Sequence, residues 1–449
     1  MKGKSFSHFM QAVGLQSCIS TLIQGVEVDS RKVEKDFVFF ALKGAKVDGH
    51  DYLEDVAKKG AIAAFVSKEY KGEVQGLPLF PVDDVLDTLQ RAAKSRIKES
   101  RAKIVAITGS VGKTTTKEYV ATLLSAKFSV MRTPGNANSQ IGLSLSLVNA
   151  EDLDKDFLVL EMGMTEEHGI EKLVTIAPPD YALITKVAPA HIGNFFDGLE
   201  GIARAKAEIM NSPNTVCTLI NAGAKAFSAI QKQTSCAKLF FSLHKEDLSE
   251  YSLQKEKGKY FLQKGKEKSP LFALPFAESH LQENFLAAAS LAQIVGLSWE
   301  EIISQIPLLS SCKNRFEKIE RNQILYINDT YNANTESVKA ALTNLPKPKK
   351  GSKVIAVLGD MSADLGYFSK EGHEEIGRVA SLCVDLLICY GKESKATAQV
   401  FSLSGKESWH FLDLGSLRKK MGKIAKAGDV VLVKGSNAMQ MWQIFDDIV

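Results

Sequence analysis

Apolar runs of a few residues alternate with amphipathic stretches along almost all of the 449 residues. That alternation predicts α/β layers built on mostly parallel sheets. In the first stretch, DFVFFAL (Asp36 to Leu42) reads as a strand, DYLEDVAKKG (Asp51 to Gly60) as a helix stopped by its glycine, and AAFVS as another strand. VDDVLDTLQRAAKSRIKES then reads as a connecting helix. The middle stretch predicts strands at KIVAIT, FLVLEMG, YALITKV and TVCTLIN, with helices between them. From Tyr251 to Lys268, Gly-Lys turns and alternating charge predict a surface hairpin without chemistry. A third set begins near Lys313, with strands at QILYIND, KVIAVLGDM, DLLICYG and DVVLVKGS. Each of these ends in small and polar residues, and open α/β sheets bind ligands beyond the carboxyl ends of their strands.

Length agrees with this division, since roughly 100–200 residues per domain gives two to four domains. The expected boundaries are 1–84, a small α/β domain; 85–312, a central P-loop nucleotide-binding sheet; and 313–449, a Rossmann-like domain. A hydrophobic content of 45% with 24% charged residues is that of a globular chain. The net charge of +4, from 56 Lys and Arg against 52 Asp and Glu, gives no support to a nucleic-acid partner. The basic pieces LPKPKK and QKGKEK are short, lie between apolar runs and read as solvated loops. Six cysteines without a CxxC pair or metal-ligand spacing read as reduced thiols, most of them buried. The N-terminal residues lack an apolar h-region, and no later run approaches the length of a membrane span. A cytoplasmic protein with no membrane partner is expected.

Chemistry concentrates in IVAITGSVGKTTTKEYV, Ile104 to Val120. The pattern GxxxxGK(S/T) is incomplete, because Ile107 stands where its first glycine belongs. Strand, loop and helix nevertheless follow in the order that phosphate binding requires. Gly109, Ser110, Val111, Gly112, Lys113, Thr114 and Thr115 are therefore the nucleotide-binding candidates. Glycines let backbone N–H groups close on phosphate oxygens at a helix N-terminus, Lys113 reaches the β and γ phosphates, and the Thr114 hydroxyl reaches Mg²⁺. Glu161, at the end of a buried strand, is placed to be the carboxylate that orders that ion.

GLEGIARAKAEIMNS carries an anomaly. At 100° per residue, Leu199, Ile202, Ile209 and Met210 form one stripe and Glu200, Arg204, Glu208 and Asn211 the opposite side. Lys206 falls inside the apolar stripe, where it must snorkel, pair with a carboxylate or lose its proton. A deprotonated lysine can also take up CO₂, and the carbamate is a carboxylate able to bind metal. His191, which follows the YALITKV strand and shortly precedes this helix, shares the sheet edge.

These residues resemble the Mur ligases, ATP-dependent enzymes that build the peptide of bacterial cell-wall precursors. The short loop TGSVGKTTT is similar to that family's phosphate loop, and the resemblance runs nearly end to end through VDSRKVEKDFVFFALKGAKVDGHDYLEDVAKKGA, TPGNANSQIG, LEMG, AHIGNFF and AKAEI. NDTYNANTESVKAAL, VLGDM followed by DLG and His373, and AGDVVLVKGSNAMQM resemble the member that joins D-alanyl-D-alanine to UDP-N-acetylmuramoyl-tripeptide. The resemblance implies ATP, two Mg²⁺ ions and a monomer. It implies that Thr114 and Glu161 hold one ion, that His191 and a carbamylated Lys206 hold the other, and that Lys113, His191 and Lys206 serve catalysis. Asn284, Arg315 and Asp329 would contact the nucleotide, Ser30 and Arg31 the uridine end of the acceptor, and Tyr331, Asn332 and Asn334 the acceptor or the dipeptide. Ser139, Ser144, Leu281, Thr335, Asp364 and Asn437 depart from the family pattern.

Overall fold

Most strands of the three separate sheets are buried β-branched and aromatic runs, as the sequence pattern predicts. The computed structural model describes residues 3–44, 47–233, 235–244, 247–361 and 363–446. The first sheet is parallel, in the order β1 (Gly25–Glu27), β2 (Phe37–Phe40), β3 (Ala63–Ser67), β4 (Leu79–Val82). Phe9, Phe40 and Phe65 interlock beneath it, with the Phe40 and Phe65 rings stacked 4.7 Å apart. The connecting helix runs Val85–Glu99, starting three residues inside the expected stretch, because the Asp84 carboxylate caps it by accepting the Asp87 N–H at 2.9 Å. Its apolar face meets helix Gln140–Asn149. There the Asn149 amide makes two bonds to one edge residue of the first sheet, accepting the Val26 N–H and donating to the Val26 carbonyl, both at 2.8 Å.

The central sheet has strands β5 (Lys103–Thr108), β6 (Val130–Arg132), β7 (Phe157–Glu161), β8 (Tyr181–Ile184), β9 (Cys217–Asn221), β10 (Ala237–Ser242), β11 (Tyr251–Glu256), β12 (Lys259–Lys264) and β13 (Glu267–Lys268). Their spatial order is β13-β12-β11-β10-β9-β8-β5-β7-β6, parallel except for the antiparallel β11–β12–β13 end. The chain runs outward from β5 to β6 and back to β7, then crosses to β8. The carboxyl end of β5 is thus a topological switch point, where open sheets leave a crevice. The expected surface hairpin is present, but it continues this sheet. Tyr251, Leu253 and Leu262 are buried, and Tyr251 donates to Gln293 of helix Ser279–Ile294 at 2.7 Å.

In the third sheet β14 (Glu317–Arg321), β15 (Ile324–Asn328), β16 (Val354–Gly359), β17 (Leu386–Tyr390), β18 (Glu407–Phe411) and β19 (Val430–Lys434) take the order β14-β15-β19-β16-β17-β18. Only β14 is antiparallel, joined to β15 by Asn322 and Gln323, both at positive φ as a tight hairpin demands. The expectation of mostly buried thiols is corrected. All six cysteines are free, but only Cys217 and Cys389 are buried, while Cys18 is exposed and the others are half-buried. Among the described residues no helix is long and apolar enough to cross a membrane.

Candidate active site at the seam of the second and third sheets

The loop after β5 is shaped by two glycines. Gly109 has φ +151° and Gly112 φ +83°, values that L side chains rarely adopt. A Cβ at Gly109 would collide with the Thr185 hydroxyl, and one at Gly112 with the Asn284 amide. The end of β8 holds the loop from below. The Ser110 N–H donates to the Lys186 carbonyl at 2.8 Å, Ser110 Oγ to the Ala188 carbonyl at 2.7 Å, and Thr185 Oγ1 to the Val111 carbonyl at 2.6 Å. Gly112 then leads into helix Lys113–Leu124, leaving its first N–H groups facing the crevice. Lys113 Nζ folds back onto the Gly109 carbonyl at 2.7 Å. Desolvation holds its ammonium below the usual lysine range; Glu161 opposes that shift and the Arg315 charge adds to it.

Thr114 is the centre of a polar network. Its hydroxyl donates to Glu161 Oε2 at 2.6 Å and accepts from Arg315 Nη2 at 2.8 Å, while the Asn138 amide donates to Glu161 Oε1 at 2.7 Å. Thr114 and Glu161 thus meet as predicted, with a cationic guanidinium resting on them. Asn138 was not among the predicted site residues. It is carried by the loop TPGNAN, which buried Lys117 anchors by donating to the Thr133 and Gly135 carbonyls, both at 2.6 Å. The signal for Asn138 lay in that loop, between a proline and a helix N-cap; Lys117 was hidden as one more charge in KTTTKE.

Arg315 comes from the chain crossing to the third sheet. Its neighbours Asn314 and Phe316 have φ +60° and +52°, and its guanidinium lies 3.7 Å over the Tyr331 ring. Asp329 is fully engaged, with one oxygen accepting the Phe316 N–H at 3.1 Å and the other paired to buried Lys434 at 2.7 Å. Lys434 Nζ also donates to the Asn332 carbonyl at 2.8 Å. Asn334 caps helix Thr335–Thr343, accepting from the Ser337 N–H at 2.8 Å. At the second position of that helix Glu336 pairs with Lys186 at 2.6 Å, clasping the third sheet's layer to the second's.

The resulting cleft has a volume of about 440 Å³. It gathers Ser110, Val111, Gly112, Lys113, Thr114 and Thr115 with Glu161, His191, Asn284, Arg315, Asp329, Tyr331, Asn332 and Asn334. Gly109 shapes the loop without lining the cleft. Lys206 is buried, with 3% of its surface exposed, so it does not snorkel, and it does not line the cleft. Burial holds its ammonium well below the usual lysine range, and the Lys113 charge adds to the effect. The helical stripe drawn around it needs two corrections. Leu199 is 36% exposed, while Glu208 is buried and its carboxylate accepts the N–H groups of His168, Ile170 and Glu171. Leu199 is the first residue of its helix; for Glu208 the cause is that the helix ends at Ala207 and tightens into a 3-10 turn over Glu208–Met210, which breaks the 100° step. Ser30 and Arg31 sit apart from the cleft, after β1. Arg31 forms a bidentate pair with Asp29, at 2.9 and 2.8 Å, and lowers that carboxyl to about 2.

Of the departures, Ser139 still caps its helix by accepting the Gly142 N–H, Thr335 takes the first position of its helix, and Asn437 donates to the Tyr331 carbonyl at 3.1 Å. Leu281 lines the cleft and Ser144 is buried; the Asp364 side chain lies outside the described residues. Among the described residues no group of three or more His, Cys, Asp or Glu side chains is placed to hold a metal. Thr114 and Glu161 do fit Mg²⁺, which takes one or two protein oxygens and completes its octahedron with water and phosphate.

The chain matches three family models: "Mur ligase family, catalytic domain" over residues 22–108, "Mur ligase middle domain" over 107–292, and "Mur ligase, glutamate ligase domain" over 314–437. It is 31% identical over 435 residues to the UDP-N-acetylmuramoyl-tripeptide--D-alanyl-D-alanine ligase of Bacillus subtilis, covering 96% of this chain and 94% of that one. The enzyme of the same name from Haemophilus influenzae is 32% identical over 437 residues, covering 93% and 92%. Among solved structures, MurF from Acinetobacter baumannii superposes with a TM-score of 0.83 at 25% identity, covering 99% of this chain and 98% of that one. MurF ligase from Thermotoga maritima in complex with ADP gives 0.77 at 28% identity, covering 94% and 96%.

Proposed function

Because the chain belongs to the Mur ligase family, we propose that it joins D-alanyl-D-alanine to UDP-N-acetylmuramoyl-tripeptide at the cost of ATP. In this reading it makes a peptidoglycan precursor as a cytoplasmic monomer. The three-domain α/β architecture is that of the family. The observation that carries the reading is the meeting, in one cleft, of an intact phosphate loop from the second sheet with Arg315, Tyr331, Asn332 and Asn334 from the third.

A carboxylate is a poor electrophile, so an amide cannot form from it directly in water. The terminal carboxylate of the tripeptide attacks the γ-phosphorus of ATP, ADP leaves, and an acyl phosphate results. The dipeptide amine then attacks the acyl carbon, and the tetrahedral intermediate collapses with loss of inorganic phosphate. Lys113 and Arg315 offset the negative charge gathered during the first step, in a cleft whose two sides are bridged by the Lys186–Glu336 pair. Thr114 and Glu161 would hold one Mg²⁺, with His191 and a carbamylated Lys206 holding a second. When bound, the ions neutralise phosphate charge that would repel the attacking carboxylate. Support for the carbamate is the burial of Lys206, which favours the neutral amine that reacts with CO₂. By the same reading Ser30 and Arg31 bind the uridine end of the acceptor, and the first domain carries it.

The test is to incubate the protein with ATP, Mg²⁺, the UDP-tripeptide and D-alanyl-D-alanine, omitting each in turn, and to follow phosphate release with product mass. Phosphate release that requires both peptides, with the pentapeptide mass appearing, is the expected result. Release without the dipeptide, or none with every component present, would replace this reading with a sibling ligase or an inactive scaffold. Lys206→Ala is expected to lose activity and to regain part of it with formate or acetate. Full activity of that variant without added acid would remove the carbamate.

A further inference from the structure

A second groove, of about 450 Å³, runs beside the cleft between the loop after β8 and two helices of the third layer, Thr335–Thr343 and Ser369–Cys383. Ile192, Leu365 and Phe368 give it an apolar wall. Glu336 and Leu365 line both the groove and the cleft, so the two cavities meet there.

The charges along the groove are ordered. Lys339 and Glu375 neutralise each other in an ion pair. Glu371, Glu375 and Arg378 follow at helical spacing on one face of helix Ser369–Cys383, and all three line the groove. That helix begins directly after Leu365 and Phe368, so Glu371 lies at the end near the cleft and Arg378 about 10 Å further along the axis. Among the described residues neither Glu371 nor Arg378 has an ion-pair partner. The groove therefore offers the carboxylate of Glu371 where it joins the cleft, beside Glu336, which Lys186 already pairs, and a guanidinium at its far end. An extended dipeptide spans about 7 Å between its charged ends, within the reach of these side chains.

We propose that this groove admits and holds the second reactant, a short zwitterionic peptide with small side chains, its carboxylate on Arg378 and its amine leading past Glu371 to Glu336 and the cleft. The amine is the attacking group and must arrive first; the ordered charges admit that direction and oppose the reverse. The inference rests on the dipeptide-ligation reading above.

The experiment compares D-alanyl-D-alanine with its C-terminal amide in steady-state assays of the full-length protein, alongside Arg378→Gln and Arg378→Lys. Arg378 is exposed, so its replacement leaves the fold intact, and melting curves verify this. The wild type should prefer the acid to the amide by about tenfold in kcat/KM, the scale of one charge-assisted contact. Arg378→Gln should raise KM for the dipeptide by about tenfold and erase the preference, leaving kcat and the KM values for ATP and the UDP-tripeptide unchanged. Arg378→Lys should recover part of the preference. A wild type that consumes the dipeptide while Arg378→Gln keeps its KM and its discrimination overturns this inference alone. A wild type that ligates no dipeptide overturns the parent reading with it.

Discussion

Lys113→Ala should lower the rate of ATP-dependent phosphate release by about 10²–10³-fold, the scale for removing one preorganised charge from a developing anion. The free protein should lose no stability. In the nucleotide-free fold the Lys113 ammonium is penalised by desolvation and rests on the Gly109 carbonyl. Deleting it removes a buried cost along with one hydrogen bond. What should vanish is stabilisation by nucleotide, because a ligand raises the melting temperature only in proportion to its affinity for the folded state. Melting curves with and without ADP, beside single-turnover phosphate release, separate the two effects. A variant that turns over at the wild-type rate would show that the lysine's recoil onto Gly109 is its working position.

Asp329→Ala should be the most destabilising single change in the site, at about 3–5 kcal/mol, the usual loss when one member of a buried ion pair is removed. Lys434 keeps 2% of its surface, and without Asp329 only the Asn332 carbonyl remains to it, while the Phe316 N–H loses its acceptor. Urea unfolding followed at two wavelengths would measure it. The double variant Asp329→Ala, Lys434→Met should recover much of the loss, since a buried charge without a partner costs more than no charge at all. If the single variant unfolds like the wild type, the pair is hydrated in solution. The result bears on catalysis because Asp329 fixes the crossing segment that presents Arg315 to Thr114.

The phosphate loop, the strands flanking it and the Val85–Glu99 helix were legible because local pattern determines them. KIVAIT and AAFVS form strands over their full length, and the connecting helix falls within VDDVLDTLQRAAKSRIKES. Strands β14 and β18 escaped notice. EKIER is an exposed edge and ESWHF only half-buried, so neither shows the apolar run that marks a buried strand. Lys206 was legible from periodicity, whereas Glu208 two residues later was misread, because nothing in AKAEIM announces where 3.6 residues per turn gives way to three. The clasp of Lys186 on Glu336 and the anchoring of a loop by Lys117 depend on residues brought together only by the fold. A lysine's partner cannot be read from its own neighbours in sequence.

Asn149 has a consequence beyond positioning the first domain. β1 is a border strand, and a border strand with free N–H and C=O groups is a template on which another chain can polymerise. By taking both backbone groups of Val26, the Asn149 amide acts as a one-residue surrogate strand and denies that template to strangers. The joint between the first two domains is thus also a guard against fibrils, and loosening it would put solubility at risk before chemistry.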